Sequence, residues 1–207
     1  MEDIYSVLFD KIISGEYPAG TRLKQEDLAK EFSISRTPIR VVLQQLDQDG
    51  LVKLSPNKGA VVLPFTADEI EEIFEIRKTL ELLCLDIAVP SLQIHRLLEI
   101  KAAMLQSQQN NNLKELIYLD ADLHSYILNS TGKKRLIQML NQLFRLLQRF
   151  RSLGYSEKEL KENAIREHIE IIDALCTRET EKAKALMKTH IENSKINALV
   201  HLFKTKT

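Results

Sequence analysis

The chain has 207 residues, 44% of them hydrophobic and 28% charged, with 29 basic side chains balanced by 29 acidic ones. That length holds one or two globular domains, and zero net charge argues against a nucleic-acid coat while leaving room for a local basic face. Its two cysteines, Cys84 and Cys176, have no CxxC spacing and read as buried thiols in a reducing compartment. The acidic start MEDIYSVLFD lacks the design of a signal peptide, and no uncharged apolar run is long enough to span a bilayer. A cytoplasmic location without membrane contact is expected.

Residues 1–64 are punctuated by Gly15, Pro18, Gly20, Gly50, Pro56, Gly59 and Pro64, which marks short elements between tight turns. Gln25–Phe32 reads as a short helix with Leu28, Ala29 and Phe32 turned inward. Ser33-Ile34 make a turn, Ser35 suits an N-cap, and Pro38 falls in the first turn of the next helix, where a missing N–H costs little. Ile39, Val42, Leu43 and Leu46 share one face of that helix. Arg36, Thr37, Arg40 and Gln44 share the other. Gly50 ends it. Leu51–Leu54 and Ala60–Leu63 follow as two strands, joined by a basic tip, Ser55-Pro56-Asn57-Lys58-Gly59. Residues 1–65 hold eight Lys/Arg against nine Asp/Glu, whereas 33–60 hold four against two, so the positive face is local. A helix-turn-helix with a wing presents the start of its second helix to base edges and phosphates, so double-stranded DNA is the expected partner.

From Thr66 onward the pattern is helical. Thr66 and Glu69 make a capping box for a helix to about Ala88, stopped by Pro90. Further helices fit Ser91 to Gln109, Leu113 to Ser130 (closed by Gly132), Lys133 to Arg151, a fifth opened by a Ser156/Glu159 capping box and running to Cys176, and Thr180 to His201. The expected architecture is mainly α. A winged helix-turn-helix domain over 1–65 precedes an antiparallel six-helix bundle over 66–207.

Polar groups interrupt the apolar stripes of that bundle. Asp120 and His124 lie four residues apart on the stripe of Leu116, Leu123 and Ile127. His168 lies among Ala164, Ile171 and Ile172, and His190 among Ala183, Met187 and Ile191. A lone histidine on an apolar face is usually a hydrogen-bonded core residue. Three of them with an i,i+4 aspartate, on three helices, read as a metal site. That donor set suits zinc first, with nickel, manganese or iron as alternatives decided by geometry. His95 falls off its helix stripe. His201 lies ~16 Å along the axis from His190, too far to share an ion. Arg77 and Glu81 interrupt another stripe. They read either as a buried salt bridge or as groups facing a ligand, and a guanidinium beside a metal suits a carboxylate. Arg149 is a further candidate for the same pocket.

The run from Gly15 to Leu63 resembles the winged helix-turn-helix of the GntR family of bacterial transcription regulators. The matching pieces are Pro18-x-Gly20, Leu28-Ala29, Ser35-Arg36-Thr37-Pro38-Ile39-Arg40, Gly50-Leu51-Val52 and Lys58-Gly59. The resemblance implies that Arg36 and Arg40 contact DNA, that the wing at Asn57, Lys58 and Gly59 enters the minor groove, and that a homodimer reads a short inverted repeat. Glu26 departs from the pattern, since an arginine is common there, and so does Arg40-Val41-Val42. The later helices resemble the short branch of the FadR C-terminal domain (FCD) of that family. The motifs are Asp120-x3-His124, Glu167-His168, His190 and Arg77-x-x-Leu80-Glu81. This resemblance implies a metal held by Asp120, His124, His168 and His190, and a small carboxylate effector near Arg77. A metal sensor with the ion as signal, or a helical metalloenzyme, is the alternative.

Overall fold

The computed structural model describes residues 4–55, 59–151, 155 and 157–204. The chain divides into two compact units, Met1–Thr66 and Ala67–Thr207.

The first unit runs α1 (Ile4–Ile13), β1 (Arg22–Leu23), α2 (Gln25–Glu31), α3 (Arg36–Gln48), β2 (Val52–Ser55) and β3 (Gly59–Val62). Its antiparallel sheet has the order β1-β3-β2. α3 buries Ile39, Val42, Leu43 and Leu46, as its periodicity requires. α1 has no counterpart among the predicted elements. Its buried Tyr5, Leu8, Phe9, Ile12 and Ile13 carry the i, i+3, i+4, i+7, i+8 spacing of an amphipathic helix, and it packs against α3. β1 was equally unforeseen, because two residues carry no period. The wing strands sit one place away from the predicted bounds, β2 starting later and β3 earlier. Ser35 flanks α3 in an extended conformation but forms no side-chain cap.

Gly59 explains part of this. It is buried at the head of β3 with φ near +98°, and a Cβ there would lie 2.0 Å from the Leu23 carbonyl oxygen. It therefore serves the close approach of β3 to β1 rather than an exposed wing tip. Asn57 and Lys58, the other wing candidates, lie outside the described residues. Gly59→Ala is expected to destabilise this unit by about 2–4 kcal/mol, combining backbone strain with a displaced strand. Thermal melts would check this, and an unchanged midpoint would contradict it.

The second unit runs α4 (Ala67–Ala88), a 3-10 turn (Val89–Ser91), α5 (Ile94–Gln109), α6 (Leu113–Ser130), α7 (Lys134–Arg151), α8 (Lys158–Cys176) and α9 (Thr180–Lys204). α5 starts three residues later than expected, because Pro90 sits in the 3-10 turn and Ser91 Oγ donates to the carbonyls of Ala88 and Ser130. The Asn112 side chain caps α6 by accepting from the Glu115 amide. Gly132, at φ +62°, lets the chain leave α6. α8 opens at Lys158 after an uncapped Glu157, and Ser156 of the predicted capping box lies outside the described residues. α9 extends past the expected end at His201. α4 packs on α9, α6 and α7, and α8 packs on α5 and α9. The polar residues of α6, Asp120 and His124, fall in the middle of that helix.

Candidate functional site

α6 presents Asp120 and His124 one turn apart, α8 presents His168 and α9 presents His190. All four are buried: Asp120 is 6% exposed, His124 1%, His168 0% and His190 3%. One ring nitrogen from each histidine lies within 4.8 Å of the others. Asp120 Oδ1 is 3.9 Å from His124 Nε2, and its Oδ2 is 3.7 Å from His168 Nε2. The four residues singled out in the sequence thus converge on one point.

The surroundings fix which nitrogens are available. Arg77 Nη2 lies 3.2 Å from His124 Nε2. A guanidinium only donates, so Nε2 accepts and Nδ1 carries the proton, which it gives to Glu81 Oε2 at 2.5 Å. His190 Nδ1 likewise donates to Glu167 Oε2 at 2.9 Å. His190 thus carries its lone pair on Nε2, the arrangement that outer carboxylates impose on metal-binding histidines, whereas the Nε2 lone pair of His124 accepts from Arg77 and would exchange that contact for an ion. His168 Nε2 is buried without a hydrogen-bond partner among the described residues. His168 Nδ1 is likewise buried without a hydrogen-bond partner among the described residues. A buried imidazole nitrogen with nothing to bind is costly unless an ion takes its lone pair. The donor set and this orphaned nitrogen both fit a divalent transition metal.

Electrostatics agree. Burial, with the other histidines adding repulsion, pushes His190 well below its ordinary range. Burial also lowers His168 from 6.5 to about 4, against the pull of Asp120. Burial alone would raise Glu81, but His124 and Arg77 outweigh it and hold the carboxylate ionised. Burial raises Glu167. The neutral imidazoles are the metal-binding form. They also set a stability window. The unfolded chain takes up these protons near pH 6.5, and the folded chain resists until about pH 4. Chelator-treated protein is therefore expected to keep its full stability above pH 6.5 and to lose about 3 kcal/mol from His168 alone as the pH falls to 4. Melts across that range read it directly, and a flat or rising midpoint contradicts it.

Arg77 and Glu81 are only 5% and 4% exposed and form a buried ion pair at 2.6 Å. The buried salt bridge of the first sequence reading is thus present. Arg77 also lines a cavity of about 240 Å³, together with Asp120, Tyr155, Glu167 and His190. Glu81 does not line it and is occupied with Arg77 and His124. α7 borders the cavity through Leu147 and Phe150, and the side chain of Arg149 lies outside the described residues. Sequence reasoning missed Tyr155, whose hydroxyl donates to Asp120 Oδ2 at 3.3 Å, and Asn193, which donates to Glu167 Oε1 at 2.6 Å. Asn193 had a signal, lying three residues past His190 on α9. Tyr155 had none, since it falls between two predicted helices and on no apolar stripe. His95 and His201 are exposed and apart from the cluster.

In the first unit, Arg36, Thr37, Arg40 and Gln44 are all exposed on the face of α3 opposite its buried stripe. Arg36 Nη1 is 2.9 Å from Glu26 Oε1 across the turn between the two helices. The acidic departure at position 26 thus partners the first arginine. No helix among the described residues is long and apolar enough to cross a membrane.

Residues 72–193 match the FCD domain family, and residues 1–62 match the gntR family of bacterial regulatory proteins. The chain is 26% identical over 193 residues to an uncharacterized HTH-type transcriptional regulator of Bacillus subtilis, YdhC, covering 91% of this chain and 86% of that one. Its fold is similar to that of E. coli McbR/YncC, with a TM-score of 0.76 and 21% identity over 99% of this chain and 97% of the other. It is also similar to the Zn2+-bound FCD domain of a transcriptional regulator, TM0439. There the TM-score is 0.59 with 22% identity, covering 68% of this chain and 99% of that domain.

Proposed function

The chain belongs to the GntR family of bacterial regulators and carries an FCD domain, and on that premise we propose that a small carboxylate, bound beside a metal ion in the helical unit, controls its hold on DNA. It is a DNA-binding transcription regulator of the GntR/FCD type. In this reading residues 1–65 bind DNA and 66–207 bind metal and effector and dimerise. Arg36, Thr37, Arg40 and Gln44 meet the major groove, with the wing at Asn57–Gly59 beside them. Asp120, His124, His168 and His190 hold the ion, zinc first, and the Zn2+-bound state of the similar FCD domain supports that choice. Bound there, the ion supplies a Lewis-acidic centre for a carboxylate. Glu81 and Glu167 fix the histidine tautomers.

One observation carries the reading: Arg77, Asp120 and His190 open onto the same cavity. An acid entering it meets a guanidinium and the metal together, which suits one carboxylate group. The homodimer has support in Ile76 and Leu83, exposed at 42% and 45% and seven residues apart on one face of α4. A dimer matches a short inverted repeat, because two-fold proteins read two-fold sites.

The test is a gel-shift titration of the full chain on operator DNA, zinc-loaded or chelated, against a panel of small carboxylic acids. At least one acid is expected to shift operator affinity in the loaded protein and to do nothing in the chelated one. An operator affinity that follows zinc but no acid would make the ion itself the signal and overturn the effector reading.

A further inference from the structure

The outward face of α3 carries one side chain that neither the core nor charge accounts for. Ile39, Val42, Leu43 and Leu46 are the buried stripe of this helix. At ~3.6 residues per turn, the direction opposite that stripe passes close to Thr37, Val41, Gln44 and Gln48. Val41 is 46% exposed, and among the described residues of the first unit it is the one large hydrophobic side chain left in solvent. Around it on this face are the hydroxyl of Thr37 one turn before, the amide of Gln44 one turn after and the guanidinium of Arg40 beside them, all exposed.

Packing does not explain Val41, since it lies outside the buried stripe. Helix propensity does not explain it either. A β-branched residue loses side-chain freedom in a helix, and Ala, Glu, Gln or Arg suits an exposed helical position better. What remains is the surface that this face meets. An isopropyl group offers nothing to a phosphate. In the major groove guanine presents O6 and N7, adenine N7 and an amino group, and cytosine an amino group. Covering any of these with hydrocarbon leaves a polar group without water or partner, which is costly. Thymine alone presents an apolar group there, its C5-methyl. Val41 and that methyl remove each other from water.

From this placement we infer that Val41 is a specificity-determining residue, which reads a thymine in each operator half-site through its C5-methyl group. The inference rests on the reading above that the outward face of α3 lies in the major groove, and it adds a base identity to that reading.

The test begins with sites that the full chain selects from a random duplex library. Each thymine of the selected site is replaced, one at a time, by deoxyuridine, which deletes the methyl and keeps every hydrogen-bonding group. Fluorescence anisotropy at fixed salt reads the affinity. Replacement at one thymine per half-site is expected to weaken wild-type binding about fourfold, the worth of one buried methyl group. Val41→Ser and Val41→Gln, which suit a helix as well as valine or better, should lose that sensitivity. Selection with Val41→Gln should no longer demand thymine at that position. Undiminished wild-type affinity for every deoxyuridine site overturns this inference and leaves the major-groove reading standing. So does a loss at the same thymine that persists in both variants. Wild-type binding of the same sites by both Arg36→Ala and Arg40→Ala overturns the major-groove reading, and this inference with it.

Discussion

His168→Ala is expected to empty the metal site and remove all metal-dependent stabilisation. His124 and His190 each have an outer carboxylate to satisfy the ring without an ion. His168 is fully buried with Nε2 unpartnered among the described residues, so it depends most on the metal. In wild-type protein a hundredfold excess of zinc over its Kd is expected to stabilise the fold by about 2.7 kcal/mol. That increment should vanish in His168→Ala and, by the same logic, in His124→Ala and His190→Ala. Glu81→Gln keeps every proposed ligand but weakens the hold on the His124 tautomer and removes the charge partner of Arg77, so it should lower metal affinity about 10–100-fold. His95→Ala, at an exposed position, is the control. Elemental analysis with thermal melts, with and without chelator, reads all five variants. Full metal occupancy in the three core histidine variants would rule the site out.

The second large effect is on DNA. Arg36→Ala and Arg40→Ala should each weaken operator binding by about 1–3 kcal/mol, since each removes a bidentate base contact or a phosphate contact. The Arg36 loss should be the smaller. Its guanidinium is already shared with Glu26 at 2.9 Å, so part of its charge is spent before DNA arrives. Both side chains are exposed, so the substitutions should leave the melting of the first unit unchanged. Gel shifts at fixed salt, on operator and unrelated DNA, separate a loss of specificity from a loss of affinity. Wild-type binding in both variants would refute the assignment.

The misses share a cause with the successes. Helices α4 to α9 lie close to where period, caps and punctuation put them, because each is long enough to repeat its stripe several times. β1 has two residues and no period, and it exists only because β3 offers it a ladder. α1 is legible in its spacing, with Tyr5, Leu8, Phe9, Ile12 and Ile13 on one face. The shifts at α5 and α8 are one-turn events, decided by local hydrogen bonds at Ser91 and by an uncapped Glu157 rather than by pattern.

The sequence by itself determined that Asp120, His124, His168 and His190 would be buried, and that Arg36 and Arg40 would not. Burial follows from each residue's place on its own helix stripe, which is local information. Only the tertiary structure decided what those residues do to one another. Glu81 and Arg77 reach His124 from α4, Glu167 reaches His190 from α8, and Tyr155 reaches Asp120 from outside any long helix. Tautomer, free lone pair and cavity wall all depend on such contacts between helices. A helix's own period carries no record of which neighbour will face it, so these features appear only once the bundle has closed.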